Sequence, residues 1–368
     1  MKSLLLIATV QSHIGQFHKP LMKMLKENGW EIHVAARDNL AEKNGLQLDY
    51  PDKVFDVPFQ RSPFDRRNIG AYKQIKRILE ENHYDVIHCN TPVGGIVGRL
   101  AGNKYRKTGT QVFYTAHGFH FYKGAPKKNW LIYYPIEKWM SRFTDKLITI
   151  TEEDYALAKK KFHCPVCHIH GVGANGEKFH PISPEEQARR KKELGLQGHI
   201  IVNVGELLPN KNQKTAILAM QKIVEQVPNA KLLIAGNGPE RENLERLVQE
   251  LHLEDHVTLL GYTTHLEDYL QICDLEIACS YREGLPLNVM EAMLCGKPVV
   301  ASNNRGHREL ITDGVNGRIV DSDSVDAYAN SIIHVLSNIN HFASATLESV
   351  QPYTIKNVAN EIEKLYLG

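Results

Sequence analysis

Residues Ser280–Val300 read SYREGLPLNVMEAMLCGKPVV, with Glu283 and Glu291 separated by seven residues and a Gly-Leu-Pro-Leu step. The preceding LEIACS, Leu275–Ser280, has the length and composition of a buried strand, and the polar YREG reads as its exit loop. Pro286 suits the first helical position, and NVMEAML continues the helix until Gly296 stops it. Pro298 then leads into a further strand, PVVAS. Strand, loop, helix and strand in that order are the unit from which parallel sheets are wound. Glu283 therefore falls in the loop and Glu291 in the second turn of the helix. At a rise of 1.5 Å per residue their carboxylates lie on the order of 8–12 Å apart. Helical side chains lean toward the N-terminus, so both acids can reach one crevice. Between them the backbone amides of the Gly284–Leu287 step are the orphan donors of a helix start, which suit an anion. The spacing is too wide for a retaining glycosidase pair, which needs about 5 Å, and marginal for an inverting one. A ligand with hydroxyls at both ends and phosphate between, such as a nucleotide-sugar, suits it better. Solvated surface glutamates are the bland reading of either residue alone.

At 368 residues the chain exceeds what one hydrophobic core usually supports, so two domains are expected. A hydrophobic fraction of 42% and a charged fraction of 23% are ordinary for a globular protein. The net charge of +2 conceals an asymmetry: residues 1–180 carry 27 Lys plus Arg against 17 Asp plus Glu, and the remainder 17 against 25. The basic half invites an anionic surface. The opening MKSLLLIATV has strand length and lacks a small-residue cleavage site, and no apolar run reaches the ~18 residues needed to span a bilayer. Six dispersed cysteines do not make a disulfide framework, which points to a reducing cytosol. Cys164 and Cys167, with His168 and His170, raise a zinc reading, but CHIH also alternates like a strand and no second ligand pair lies nearby.

Strands and helices alternate along the whole chain. SLLLIATV, WEIHVAA, DVIHCN, QVFYTAHG and KLITIT read as parallel strands of a first doubly wound half, with a loop at Gly15. IIVNVGE, AKLLIAG, VTLLG and the stretch quoted first repeat the plan in a second half. The seam is placed at VGANGEKFHP, giving domains 1–178 and 179–350 and a tail helix, 351–368, packing on the first domain. In such sheets ligands sit at the carboxyl ends of the strands. The unusual residues fall there: Ser12–Gly15, His117–Phe121, Gly205–Asn212, Gly236–Pro239, Gly261–Thr264 and Glu283–Leu287.

EGLPLNVMEA, the GNGPE turn after a strand and the VGELLPNKNQ loop, in this order, resemble family-4 glycosyltransferases of the GT-B fold. TAHGFHFYKGAP followed by YYPIEKWMSR resembles bacterial exopolysaccharide and capsule enzymes within that family. The resemblance implies two doubly wound Rossmann-like α/β domains facing across a cleft. It also implies retaining transfer from a UDP-sugar with no metal or other cofactor, the donor lying on the second domain and the acceptor on the first. Carried over by position, Glu283 holds donor-sugar hydroxyls, Glu291 the ribose and Lys211 the diphosphate, with Asn210, Gly236, Asn237, Gly284, Leu285, Pro286 and Leu287 beside them. Gly261 and Tyr262 border the base, His117 faces the donor sugar, and Gly15 approaches the diphosphate. Glu283, His117 and Lys211 are the catalytic candidates. This chain departs from many relatives in having Glu206 where they have arginine. Either Lys211 carries more of the charge, or Arg282, Arg305 or Lys214 assists.

On the acceptor or membrane side the candidates are His13, Lys123, Lys127, Lys128 and Trp130. Basic and aromatic residues mixed on one helix suit lipid headgroups. The expected partners are a polyprenyl-diphosphate-linked saccharide and an anionic membrane surface, without nucleic acid, at the inner face of the cell membrane. Solvated lysines and core aromatics are the alternative. A sugar-nucleotide 2-epimerase of the same architecture is the competing enzyme class, and a noncatalytic nucleotide-sugar binder is a third. The acid pair Asp321 and Asp323 resembles a metal motif, but it precedes a helix and reads as capping. SHIGQFHKP, after the first strand, lacks GxGxxG, and GxxxxGK[ST] occurs nowhere in the chain.

Overall fold

The computed structural model describes residues 1–42 and 46–367. It divides into two compact units, Met1–Val172 together with the chain from Val358 onward, and Gly173–Asn357.

The first unit is built on strands β1 (Ser3–Val10), β2 (Glu31–Arg37), β3 (Lys53–Asp56), β4 (Val86–Asn90), β5 (Gln111–Ala116), β6 (Lys146–Thr149) and β7 (Val166–His168). All pair in parallel in the order β3-β2-β1-β4-β5-β6-β7. β1, SLLLIATV, is buried on both faces, as a parallel strand covered by helices must be. Glycines let the helix Pro92–Gly102 press onto the sheet: a Cβ on Gly95 would lie 2.5 Å from the Tyr114 ring, and one on Gly98 would lie 2.4 Å from Cys89 Sγ. The same helix carries a fully buried Arg99, which donates to Gly95 O and to Glu137 Oε2 and lies over the Tyr114 ring.

The second unit repeats the plan with β8 (His199–Val204), β9 (Ala230–Ala235), β10 (Val257–Gly261), β11 (Leu275–Ala278), β12 (Val299–Ser302) and β13 (Gly317–Val320). Their order is β10-β9-β8-β11-β12-β13, again all parallel. In both sheets the order reverses beside the first strand, between β1 and β4 and between β8 and β11. Those reversals are where open α/β sheets leave a crevice at the carboxyl ends.

The tail helix Ile355–Leu367 ends in the first unit. There the Tyr366 hydroxyl pairs with His88 Nδ1, Lys146 Nζ donates to Leu365 O, and Glu361 pairs with His170. Val350 and Tyr353 are buried in the core of the second unit. Three features differ from the expected elements. Gly15 lies inside the helix Gln11–Phe17, not in a loop, with Leu46 and Leu48 against it. Pro286 caps the helix Leu287–Leu294 from an extended conformation and is not its first residue. The edge strand β3 went unread because KVFD is mostly exposed and has no alternating pattern. No described helix is long and apolar enough to cross a membrane.

Candidate functional site

At the carboxyl end of β8 the chain turns through Gly205 and Glu206 into a short helical turn, Pro209–Lys211. This loop is tied to the one after β9 by Gly205 N to Ala235 O, Leu207 N to Asn237 O and Glu240 N to Leu207 O. The two backbones come so close that a Cβ on Gly236 would sit 1.9 Å from Gly205 O, and Gly236 also has a φ of +147°. Only glycine fits there. The Lys211 side chain runs back across Gly205 and reaches Glu283, Nζ to Oε1 2.7 Å. Both side chains are partly exposed. Asn210 holds the Glu283 loop to this turn, its side-chain amide donating to Arg282 O and its carbonyl accepting from Tyr281 N.

Behind Glu283 stands the helix Arg305–Leu310, so close that a Cβ on Gly306 would lie 2.5 Å from Gly284 O. Asn304 caps it by accepting from His307 N. The amides of Gly284, Leu285, Leu287 and Asn288 donate to no protein acceptor among the described residues. Pro286 contributes none. A lysine, a carboxylate and a row of unspent amides thus meet at the switch point of the second sheet. Of the cations considered beside Glu206, Arg282 and Lys214 are exposed and Arg305 is buried; Glu206 itself points to solvent.

Glu291 lies deeper, where burial raises its carboxyl to about 7, opposed by Lys178 and reinforced by Glu267. Glu276, on β11, was missed in the sequence because it reads as one letter of an apolar strand. It is fully buried and accepts from Asn288 Nδ2 at 2.7 Å. Burial raises it to about 8, with Glu291 and Glu283 adding to the rise. Its signal was an acid inside LEIACS. Both acids keep their protons in the folded chain at pH values where an unfolded glutamate, near 4.5, has lost its own. Their contribution to stability is therefore full below about 4.5 and is lost as the pH rises through 7 to 8. Glu276→Gln, which keeps an acceptor for Asn288, is expected to flatten this fall. At pH 8 it should raise the melting temperature by at least about 2 °C, read by thermal melts at pH 6 and 8. A variant melting at or below wild type at pH 8 would show that Glu276 is not held protonated.

Gly261, with φ of +78°, accepts from Gly236 N, which brings Asn237 and Gly261 together, and the neighbouring Tyr262 ring is 58% exposed. Asp323 accepts from the Tyr281 hydroxyl, and the following helix is capped by Ser324 and by neither acid of the pair.

In the first unit His117, at the end of β5, and His13, on the helix Gln11–Phe17, meet with Nε2 atoms 3.2 Å apart. His117 Nε2 is also 3.2 Å from Asn90 Oδ1 at the end of β4. Burial pushes His117 down to about 4 and His88 to about 3, and holds His13 and His18 well below the usual range. His13 and His117 line a cavity of about 300 Å³ with Pro63, Phe119, His120 and Tyr133. Gly15 lies in the second turn of the His13 helix. Lys123, Lys127 and Lys128 are exposed. Trp130 is half-buried, packed on Phe121 and donating to Tyr122 O, so it supports the core. The apolar residues that the helix Lys127–Met140 does present to solvent are Leu131, Ile132 and Trp139, which sequence reasoning did not separate from the core aromatics. Cys164 and Cys167 are both partly buried free thiols, and they join no group able to share a metal ion among the described residues.

Residues 184–346 match the family model of glycosyl transferases group 1, and residues 3–151 match that of glycosyl transferase 4-like proteins. The chain is 44% identical over 335 residues to EpsD of Bacillus subtilis (strain 168), which carries a provisional glycosyltransferase name; the match covers 90% of this chain and 86% of that one. It is 27% identical over 348 residues to the Escherichia coli UDP-Gal:alpha-D-GlcNAc-diphosphoundecaprenol alpha-1,3-galactosyltransferase, covering 89% of this chain and 88% of the relative. Among solved structures, sucrose-phosphate synthase from Thermosynechococcus elongatus superposes with a TM-score of 0.79 at 22% identity, over 100% of this chain and 98% of that one. HepE of Anabaena with UDP and glucose superposes with a TM-score of 0.75 at 20% identity, over 99% of each.

Proposed function

Since the chain belongs to the group 1, family-4-like glycosyltransferases of the GT-B fold, we propose that it moves a sugar from a UDP-sugar to a polyprenyl-diphosphate-linked saccharide, with retention and without metal, in exopolysaccharide or capsule assembly. The observation that carries the donor half is the Lys211–Glu283 pair beside the unspent amides of residues 284–288. A diphosphate seated on those amides competes with Glu283 for Lys211. As Lys211 turns to phosphate, Glu283 is left with free acceptor oxygens for sugar hydroxyls. Glu291 takes the ribose hydroxyls, and Gly261 and Tyr262 border the base. The departing diphosphate is then met by donors already in place, as an oxyanion hole meets its charge. His117 and His13 serve transfer from the first unit. The acceptor class is supported by the Escherichia coli relative, whose name specifies a diphosphoundecaprenol-linked sugar.

A panel of nucleotide-sugars in a thermal-shift assay tests this reading. One UDP-sugar should raise the melting temperature, since a ligand at 100 times its Kd stabilises by about 2.7 kcal/mol. EDTA should lower neither that shift nor turnover. Glu291→Gln should weaken UDP itself, because the ribose is present in donor and product alike. No shift with any nucleotide-sugar, or loss of turnover in EDTA restored by magnesium, would overturn it.

Peripheral attachment to the inner face of the cell membrane belongs to the same proposal. Each lysine near an anionic surface contributes roughly 1 kcal/mol within a Debye length of about 8 Å. Lys123, Lys127 and Lys128 are exposed beside Leu131 and Ile132, which offer apolar side chains to the same surface. Changing the three lysines to glutamate should abolish sedimentation with anionic vesicles and slow transfer to a lipid-linked acceptor, while sparing a short soluble analogue. Unchanged sedimentation would make them ordinary solvated charges.

A further inference from the structure

We propose that His13, His18 and His117 form a binding site for one transition-metal cation of the zinc class, and that its occupancy arrests sugar transfer. A ring nitrogen from each of the three lies within 4.8 Å of the others. A tetrahedral zinc with bonds of 2.0–2.1 Å holds neighbouring nitrogens about 3.4 Å apart. The 3.2 Å between His13 Nε2 and His117 Nε2 is close to that separation. Ring rotation by His18, whose Nε2 is buried without a well-formed hydrogen bond and only weakly supported by Asn90, brings in the third ligand. His13 and His117 line the cavity of about 300 Å³, which gives a cation a way in and a water room to complete its shell.

The neighbours separate this cluster from packing histidines. His88, the adjacent ring, has both nitrogens engaged, by Thr115 and Tyr366 at 2.7 and 2.5 Å, and is no ligand; His117 Nε2 has only the longer 3.2 Å contacts to Asn90 Oδ1 and His13 Nε2, which it exchanges for the cation. Glu137, the carboxylate lining the same cavity, is paired with Arg99. The donor set is therefore three neutral imidazoles, the form that burial enforces and that zinc, copper and nickel accept. Magnesium and calcium, which take six or more oxygen ligands, find only the Asn90 amide oxygen beside the cluster. All three histidines sit in one unit, on the end of β5 and around the helix Gln11–Phe17, so the cluster needs no partner. The arrest of transfer rests on the assignment of His117 to the reaction in the proposed function; binding does not. A cation ligated by His117 denies that ring to substrate.

The test uses tag-free full-length protein stripped with chelator. Titration of zinc against a chromogenic chelator should show one equivalent bound at micromolar or tighter concentration, and cobalt(II) should give the visible absorption of a four-coordinate site. His18→Gln and His13→Gln should each weaken zinc by at least about tenfold, while Cys164→Ser/Cys167→Ser should leave it unchanged. Should the buried His18→Gln chain fail to fold, His13→Gln, on a less buried position, still reads the site. In the transfer assay one equivalent of zinc should inhibit the wild type and EDTA should reverse it, with magnesium inert. A wild-type chain that takes up no zinc, or one whose binding survives both histidine changes, overturns the site. Zinc that binds there without slowing transfer overturns the arrest alone.

Discussion

Replacing Lys211 with alanine is expected to lower the transfer rate by about 10²–10³-fold, the loss seen when one preorganised donor to a developing oxyanion is removed. Lys211 is held beside the unspent amides of residues 284–288 by its pair with Glu283, its side chain laid across Gly205 with its ammonium 2.7 Å from that carboxylate. Glu206, in the same loop, is an acid facing solvent and cannot substitute. Glu283→Gln should act differently. It frees Lys211 from its counter-ion while removing the proposed sugar contact, so turnover should collapse while UDP binds as well as before or better. Rate constants for both variants, with UDP affinity by calorimetry, separate the two roles. Turnover within a few fold of wild type in either variant would remove that residue from the reaction.

Arg99→Met is expected to destabilise the first unit by about 3–5 kcal/mol, because it strands a buried carboxylate. Arg99 is 1% exposed and Glu137 8% exposed, and the guanidinium also donates to Gly95 O and stacks on Tyr114. The cost should come mainly from the uncompensated Glu137 charge, so adding Glu137→Gln should recover much of it. Denaturant melts of the two variants test this. A single variant as stable as wild type would mean that Glu137 finds water or another cation when Arg99 is gone.

The alternation of buried strands and helices was legible because parallel strands covered on both faces read as nearly continuous apolar runs, as LLLIA in SLLLIATV and IIV in HIIVNV do. Glu283 in a loop and Glu291 in the second turn of a helix followed from local turn and helix signals alone. What sequence reasoning missed depends on contacts distant in the chain. Nothing near Glu276 announces that Asn288 will pair with it. His18 gains its meaning from His13 and His117, the second of which lies on another strand end. Trp130 and Leu131 are neighbours in sequence, yet one packs on Phe121 and the other is 77% exposed, because a helix turns about 100° per residue.

The central claim is that a sugar leaves UDP for a lipid-linked acceptor. Its most direct test is mass spectrometry and NMR of the product formed from a UDP-sugar and a polyprenyl-diphosphate-linked saccharide in the presence of EDTA. The account predicts UDP release that requires the acceptor, one sugar added to it, and the anomeric configuration of the donor preserved. UDP released without acceptor, together with an epimerised sugar and an unextended lipid, would contradict it.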